Sequence, residues 1–259
     1  MSWIEALILG ILQGLTEFLP VSSSGHLELG KAILGTNLED NLTFTVIVHV
    51  ATVCSTIVVF YKDIWKLLSN SFSFKINEEN TYIFNIIISC IPVFFVGLFL
   101  EDEVEKFFEN RLTFVGIMLL VTALLLSFTY YAKDKNKNIT TIDAFIIGIA
   151  QAFAVLPGIS RSGATIATGL LLGNKKSEIA KFSFLMVLIP VLGKMGKDIL
   201  SGELQHSSIS IGVLIVGFFG AFISGLLACK LMIALVKRSK LIYFAVYCAL
   251  IGILAIILN

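Results

Sequence analysis

The feature that most constrains the fold is a polar, helix-breaking stretch set between apolar runs near the start of the chain. Residues 13–26 read Gln-Gly-Leu-Thr-Glu-Phe-Leu-Pro-Val-Ser-Ser-Ser-Gly-His. The flanking residues are apolar enough to lie in lipid, where an irregular polar segment is tolerated only if protein buries it or water reaches it. Ionisable residues at that depth are costly, so an intramembrane functional site is the first hypothesis.

Composition places this stretch in a membrane protein. Of the 259 residues, 57% are hydrophobic and 14% are charged, whereas an ordinary soluble domain is about 25% charged. Several apolar runs are long enough to cross a hydrocarbon layer of about 30 Å. The chain is therefore predicted to be an all-α polytopic membrane protein. Its net charge of +1 gives no electrostatic reason to expect a nucleic-acid partner.

Helical segments of two lengths are predicted. The six runs that can span the membrane are residues 42–61, 81–100, 112–131, 179–196, 209–229 and 240–258. Two pairs are shorter, residues 4–19 with 27–35 and residues 142–156 with 164–173. Each short pair surrounds a polar elbow that contains Pro, Ser and Gly, which predicts a re-entrant helical hairpin.

The second half of the chain repeats the first at a distance of 138 positions. Apolar residues match each other by chance, so the signal lies in the pairs Gln13 with Gln151, Ser22 with Ser160, Ser24 with Ser162 and Gly25 with Gly163. Repeat 1 covers about residues 1–132 and repeat 2 about residues 139–259 of a single membrane domain, each with one hairpin and three spans. An odd number of spans inverts the second half, and inverted repeats place a site at their interface near the bilayer midplane.

The loops between the spans differ in charge. Polar loops are predicted at residues 62–80 and 101–109, the second of them acidic. Of the 19 Lys and Arg residues, 13 fall on loops at one predicted side, and 5 fall on the side of the acidic loop. The positive-inside rule places the side with 13 in the cytoplasm. Both termini would then lie outside, and the first hairpin would enter from the outer face.

Gln13 and Glu17 are the first candidates for chemistry. They are four residues apart and so share one helix face. A carboxylate in an apolar helix is costly unless it is paired, hydrated or bound to metal. Glu17 is therefore predicted to be a metal ligand or a proton acceptor, and hard oxygen donors suit Mg²⁺ or Ca²⁺. The alternative is a structural hydrogen bond to a neighbouring helix.

The elbow after Glu17 could bind an anion. Ser22, Ser23, Ser24 and Gly25 precede a short helix, where backbone N–H groups and the helix dipole favour negative charge. The hydroxyls add donors, and one could be a nucleophile; the alternative is ordinary N-capping. His26 follows at once and is predicted to be a general base, a general acid or a nucleophile, the alternative being a satisfied core histidine.

The second polar stretch supplies a cation. Arg161 lies in residues 157–163, Pro-Gly-Ile-Ser-Arg-Ser-Gly, between two apolar segments. Its guanidinium can bind phosphate oxygens through two N–H groups at once, although an internal ion pair with Glu17 is an alternative. The repeat aligns Arg161 with Ser23, so one copy offers acid, hydroxyl and imidazole and the other offers a cation. Together they suit an oxyanion, such as the phosphate or diphosphate of a lipid.

Three other polar residues have weaker assignments. His49 lies inside the first span, away from the residues of the two polar motifs, and is predicted to be structural or to support the site indirectly. Glu28 receives no role. His206 falls in a polar loop and is predicted to be solvated.

Two motifs resemble those of a known family, the undecaprenyl-diphosphatases or bacitracin-resistance phosphatases. The first family signature has Glu or Gln, three residues, Glu, and then a Pro-Val-Ser-Ser-x-Gly-His run, as residues 13–26 do. The second signature, Pro-Gly-x-Ser-Arg-Ser-x-x-Thr, is matched by residues 157–165. Motif order, length and repeat agree with the family, so the resemblance covers essentially the whole chain.

The resemblance implies a function and roles for the site residues. Family members remove the terminal phosphate of undecaprenyl diphosphate, a used lipid carrier of cell-wall synthesis, and use a divalent cation. By motif match, Glu17 would bind metal or activate the attacking group with help from Gln13, a position that is Glu in many members. Ser23 or His26 would attack or activate the attacker, and Arg161 would hold the diphosphate. The other implied diphosphate contacts are Ser22, Ser24, Gly25, Gly158, Ser160, Ser162 and Thr165.

The resemblance also implies a location and partners. The protein would be multi-pass in the bacterial cytoplasmic membrane, with the site open to the outer face. Its partners would be the polyprenyl diphosphate lipid and the membrane itself, with a homodimer as one option for the oligomeric state.

Two other functions fit parts of the sequence. An inverted-repeat transporter or lipid flippase would also have interrupted helices and a midplane site. Another lipid-phosphatase superfamily shares fragments such as Ser160-Arg161, but it needs a second histidine soon after them. Residues 162–173 contain no histidine, which argues strongly against that superfamily.

Overall fold

The protein is all-helical wherever its structure is described. The computed structural model describes residues 1–34, 41–71, 77–107, 112–133, 135–200, 209–238 and 240–257. These ranges form no β-strand, which confirms the predicted helical class. The α-helices are α1 (Trp3–Phe18), α2 (Ser23–Leu34), α3 (Asn41–Val59), α4 (Tyr61–Ser71), α5 (Glu78–Phe99), α6 (Glu101–Glu105), α7 (Leu112–Phe128), α8 (Thr141–Phe153), α9 (Arg161–Leu171), α10 (Lys176–Met186), α11 (Leu188–Leu200), α12 (Ile211–Lys237) and α13 (Ile242–Ile257). His206 lies outside the described residues.

Two pairs of short helices, α1–α2 and α8–α9, occupy the positions predicted for the hairpins. Both pairs begin with a capping box. The Ser2 hydroxyl accepts the Glu5 N–H at 3.3 Å while the Glu5 carboxylate accepts the Ser2 N–H at 2.9 Å. Thr140 and Asp143 form the same reciprocal pair at the start of α8. The first helix of each pair ends shortly before a proline in the elbow, because proline lacks the N–H that would continue the helix.

Within the described residues, four helical segments are long and apolar enough to span a membrane. They are Glu78–Phe99, Leu112–Tyr131, Lys176–Asp198 and Ile211–Lys237. The bent pair of α3 and α4 makes a fifth if it is counted as one span. The sixth predicted span corresponds to α13, an apolar helix of 16 residues. The coarse prediction of a multi-pass helical membrane protein is thus confirmed.

Two predicted loops are wrong in part because they contain helices. Residues 61–71 form α4, which follows α3 after a bend of 73°. Ile64 and Leu67 pack against the core, while Asp63 and Lys66 interrupt the apolar run by which a span is recognised in the sequence. The acidic loop contains the short helix α6.

The short helices pack across the two halves of the chain. Helix α1 packs mainly on α12, helix α8 packs mainly on α5, and α7 packs on α13. One buried cluster forms around Phe18 and Phe182, and a second forms around Leu9 and Phe44. Large apolar side chains are also exposed over the outside of the helices, as expected where a protein faces lipid.

The two elbows lie against each other. A Cβ added to Gly25 would lie 3.3 Å from the Cα of Gly158, so the backbones approach closely. Gly158 has φ +98°, a left-handed conformation that glycine adopts without strain. The Thr122 hydroxyl on α7 donates to the Gly158 carbonyl and accepts the Ser160 N–H, both at 3.0 Å. This packing brings the two polar motifs into one site.

Candidate active site

The two elbows are closed by the same serine cap. The Ser22 hydroxyl accepts the Gly25 N–H at 3.2 Å, and the Ser160 hydroxyl accepts the Gly163 N–H at 3.1 Å. Ser22 has φ +69°, an uncommon conformation for a residue other than glycine. Both capping side chains are buried, so the anticipated N-capping role is present at both elbows. Direct contact of Ser22 or Ser160 with phosphate stays a prediction.

The Glu17 carboxylate, on the last turn of α1, is the centre of the candidate site. Its Oε2 accepts hydrogen bonds from the Ser23 hydroxyl at 2.6 Å and from Nε2 of Gln13 at 2.9 Å. Its Oε1 lies 3.5 Å from Nη2 of Arg161. Only 11% of the Glu17 side chain is exposed. The structure therefore joins four predicted site residues, two from the first motif helix, one from its elbow and one from the second motif.

Ser23 and Arg161 occupy equivalent places at the starts of their helices. Ser23 is the first residue of α2, and Arg161 is the first residue of α9. The positive ends of two helix dipoles therefore converge beside the Arg161 guanidinium. With 29% of its side chain exposed, Arg161 keeps N–H donors open toward the adjoining cavity. An anion that enters this space meets fixed donors and a permanent positive charge.

Two cavities adjoin the Glu17 cluster. The larger has a volume of about 670 Å³, and its walls include Ser23, Ser24 and Arg161. The smaller has a volume of about 20 Å³ and touches Glu17, Arg161, Ser162 and Thr165. Of the predicted diphosphate contacts, Ser24 lines the larger cavity, Ser162 and Thr165 line the smaller one, and Arg161 lines both. The other predicted contacts, Ser22, Gly25, Gly158 and Ser160, are not among the residues that line either cavity.

Ser162, Thr165 and Gly25 also support the elbows. The Ser162 hydroxyl donates to the Leu19 carbonyl at 3.3 Å, and the Thr165 hydroxyl donates to the Arg161 carbonyl at 2.9 Å. Gly25 lies at the close approach of the two elbows. These contacts hold the two polar motifs together, whereas their predicted contacts with phosphate stay predictions.

The imidazole of His26 lies on another side of α2. Its Nδ1 is 2.8 Å from the Ser22 carbonyl oxygen, which can only accept, so Nδ1 carries a proton. Its Nε2 is 2.9 Å from the Tyr247 hydroxyl, and the two rings stack with centroids 5.6 Å apart. No hydrogen bond joins His26 to Glu17 or Ser23 among the described residues. A chemical role for His26 stays a prediction, and in this geometry Ser23 has a carboxylate partner instead.

His49 also lies beside the Glu17 carboxylate, a contact that its surroundings in the sequence do not indicate. Its Nδ1 is 2.8 Å from the Thr45 carbonyl oxygen, and its Nε2 lies 3.8 Å from Oε2 of Glu17. His49 belongs to α3, which shares no motif with the elbows. Only the packing of α3 beside α1 brings the two side chains together, and no pattern in the sequence indicates that contact.

The mouth of the larger cavity carries charged residues. Glu101 accepts hydrogen bonds from Lys194 and Lys197, and Lys31 pairs with Glu28. The hydrogen bond from Lys197 is the main reason that the pKa of Glu101 lies below its usual value. Lys31, Lys194, Lys197 and the acidic loop that contains Glu101 belong to the side predicted to face outward. Glu28, which has no role predicted from the sequence, lines the same cavity.

Comparison with known proteins gives one consistent result. The family model described as bacitracin resistance protein BacA matches residues 6–254. The undecaprenyl-diphosphatase of Bacteroides fragilis is 57% identical over 263 residues, which is 100% of this chain and 99% of the relative. That of Parabacteroides distasonis is 56% identical over 260 residues, 99% of this chain and 98% of the relative. That of Methanosphaera stadtmanae is 38% identical over 282 aligned positions, which cover 99% of this chain and 98% of the relative.

Proposed function

The chain belongs to the bacitracin resistance protein BacA family, and from that membership we propose that it hydrolyses undecaprenyl diphosphate to undecaprenyl phosphate and inorganic phosphate. Relatives that it matches over their full length are undecaprenyl-diphosphatases. The reaction returns a used lipid carrier to peptidoglycan synthesis. Bacitracin resistance follows if the enzyme removes the diphosphate form of that carrier, as the family description suggests.

One observation carries the proposed chemistry: the Ser23 hydroxyl is bonded to the Glu17 carboxylate at 2.6 Å beside Arg161. A nucleophile within hydrogen-bond reach of a base that is oriented by a third group is the arrangement expected for covalent catalysis. Arg161 and Ser23 line the same cavity. A terminal phosphate placed there would be in reach of both the nucleophile and the cation.

The reaction then proceeds in two displacements. The Ser23 Oγ attacks the terminal phosphorus while its proton passes to Glu17, and the bond to the bridging oxygen breaks. Undecaprenyl phosphate leaves with the electrons of that bond and takes up the proton held by Glu17. The ionised Glu17 then deprotonates a water molecule, which attacks the phosphorus on Ser23. Inorganic phosphate is released as the Ser23 Oγ takes the proton back from Glu17. Arg161 and the N-termini of α2 and α9 stabilise the negative charge of the transferring group.

A divalent cation, Mg²⁺ or Ca²⁺, is part of the proposal because two oxygens fit it. Oε1 of Gln13 is buried and has no hydrogen-bond partner among the described residues, and the Glu17 carboxylate lies one helical turn away. Carboxylate and carboxamide oxygens are the donors that these cations prefer, and Mg²⁺ sites commonly include substrate phosphates. A bound cation would neutralise part of the charge of the diphosphate.

We further propose that the two halves are inverted repeats, each a re-entrant hairpin plus three spans. The matching caps of the elbows support this proposal, as does the reciprocal packing of α1 on α12 and α8 on α5. The proposed orientation puts both termini and the mouth of the cavity at the outer face of the cytoplasmic membrane, in line with the loop charges. A homodimer stays a prediction.

Apolar walls suit the cavity to a lipid substrate. Beside the polar residues it is lined by Val93, Phe94, Ile189, Val191 and Met195. The polyprenyl chain can remain against such a surface or in the bilayer while the diphosphate reaches the elbows. The substrate would therefore enter from the membrane rather than from bulk water.

Phosphate release by the purified protein tests this function. In detergent, with undecaprenyl diphosphate as the substrate, inorganic phosphate should accumulate with an equal amount of undecaprenyl phosphate. A chelator should reduce the rate, and added Mg²⁺ or Ca²⁺ should restore it. A transporter would instead move the lipid in sealed vesicles and release no phosphate, and that outcome would overturn the proposal.

A further inference from the structure

Gln151 is a buried carboxamide with nothing to bond to. It lies on α8, its exposed fraction is 0%, and neither its Nε2 nor its Oε1 has a hydrogen-bond partner among the described residues. Buried polar side chains in folded proteins are nearly always bonded, because an unmet donor or acceptor costs free energy. An unpaired buried carboxamide in a native structure therefore indicates a hydrogen-bond partner outside the protein, such as a bound ligand.

The repeat explains why Gln151 lacks the partner that its counterpart has. Gln13, the matching residue in the first half, donates to Glu17 one turn further along α1 at 2.9 Å. The residue one turn beyond Gln151 is Val155, which offers no acceptor. The second half has thus kept the carboxamide and lost the carboxylate. In the first half the carboxamide of Gln13 pairs with the negative charge of Glu17. In the second half no acidic residue stands at the matching position.

The position of Gln151 indicates what that partner is. Gln151 lies in the wall of the 670 Å³ cavity, as do Ser23, Ser24 and Arg161. Its amide N–H groups are donors, and phosphate oxygens are strong acceptors. No described side chain accepts a hydrogen bond from Gln151, so no group of the protein competes for its Nε2 donors. Because these donors are covered in this structure, a phosphate oxygen reaches them only after the cavity wall shifts.

We propose that Gln151 is a substrate-binding residue whose Nε2 donates a hydrogen bond to a phosphate oxygen of the lipid diphosphate. Its Oε1 then accepts from water carried in with the headgroup. The second half would therefore supply two separate contacts to the headgroup, Gln151 from the first helix of its pair and Arg161 from the second. This inference rests on the proposed phosphatase function.

Gln151→Leu tests the proposal because it removes both polar atoms at similar size. No hydrogen bond to the described residues is lost, so the melting temperature of the ligand-free protein should stay the same or rise. The KM for undecaprenyl diphosphate should increase by about tenfold to a hundredfold, the usual effect of losing one hydrogen bond to a charged group. Gln151→Glu, which replaces the donor with a negative charge, should raise KM further.

Asn85→Leu is the matched control, because Asn85 is a buried amide whose bonds are satisfied. Its Nδ2 donates to the Ile139 carbonyl at 3.1 Å, and its Oδ1 accepts from the Thr141 hydroxyl at 2.9 Å. This variant should lower the melting temperature and leave KM unchanged, the reverse of the result expected for Gln151→Leu.

The outcomes separate this inference from the phosphatase function itself. If Gln151→Leu lowers the melting temperature or fails to fold, Gln151 has a structural role and the inference is overturned. A KM within twofold of the wild type would overturn it as well, while the phosphatase function would stand. Only a wild-type protein that releases no phosphate would remove the function on which the inference rests.

Discussion

Replacing Arg161 with alanine should separate catalysis from stability. The guanidinium lies 3.5 Å from Oε1 of Glu17 and keeps 29% of its side chain exposed, so its contribution to the fold is that of a loose, partly solvated ion pair. Glu17, however, is only 11% exposed, and removing one partner of a buried pair costs about 3–5 kcal/mol where the other charge is left uncompensated. Because the Ser23 and Gln13 hydrogen bonds to Glu17 remain in Arg161→Ala, we expect the free energy of unfolding to fall by less than this.

The effect on turnover should be much larger. Arg161 is the one Lys or Arg side chain that contacts the Ser23–Glu17 pair among the described residues. Removing one preorganised donor to a developing oxyanion commonly lowers kcat by about a hundredfold to a thousandfold. Because Arg161 also carries a full charge toward a diphosphate, we expect kcat/KM for undecaprenyl diphosphate to fall by at least about a thousandfold.

Arg161→Lys sharpens this test, because lysine keeps the charge but loses the planar pair of N–H donors. Its activity should lie between the wild type and Arg161→Ala. Phosphate release gives kcat/KM, and thermal unfolding in the same detergent gives the stability of each variant. Activity of Arg161→Ala within threefold of the wild type, at equal stability, would refute the assignment of the site.

Further predictions concern the elbow and the mouth of the cavity. Ser23→Ala should lower phosphate release by at least about a hundredfold, since it removes the proposed nucleophile, whereas Ser24→Ala removes one donor and should cost only about tenfold. His26→Asn, whose amide can still donate to the Ser22 carbonyl, should keep more activity than His26→Phe, and equal losses would assign the chemistry to the imidazole. The hydrogen bond from Lys197 lowers the pKa of Glu101. The ionised Glu101 therefore stabilises the folded protein fully above the usual carboxyl pKa of about 4.3, and this contribution is lost as the pH falls through the lowered value. The melting temperature of wild type should therefore exceed that of Glu101→Gln at neutral pH and converge with it in acid; a difference that persists in acid would contradict this assignment.

The elbows were predictable because their chemistry is local. Proline ends each leading helix, serine caps each following helix, and the spacing between Glu17 and Ser23 is set by one short turn. The apolar content also sufficed for the helical membrane class. These features follow from residues that are neighbours in the sequence, where backbone geometry leaves few alternatives.

The remaining contacts depend on packing between distant segments. His26 follows the serine run directly, yet its ring points to Tyr247 on α13. His49 reaches Glu17 only because α3 packs beside α1. The repeat aligns Gln151 with Gln13. That the Gln151 carboxamide has no hydrogen-bond partner among the described residues follows only from the three-dimensional packing around it. Sequence order does not encode such contacts, because they depend on how helices cross.

The most direct test of the central claim is the fate of solvent oxygen during hydrolysis. Purified protein would turn over undecaprenyl diphosphate in water labelled with heavy oxygen, and both products would be analysed by mass spectrometry. Attack on the terminal phosphorus predicts that the label appears in inorganic phosphate and that undecaprenyl phosphate stays unlabelled. Label in the lipid product, or turnover without inorganic phosphate, would contradict the account.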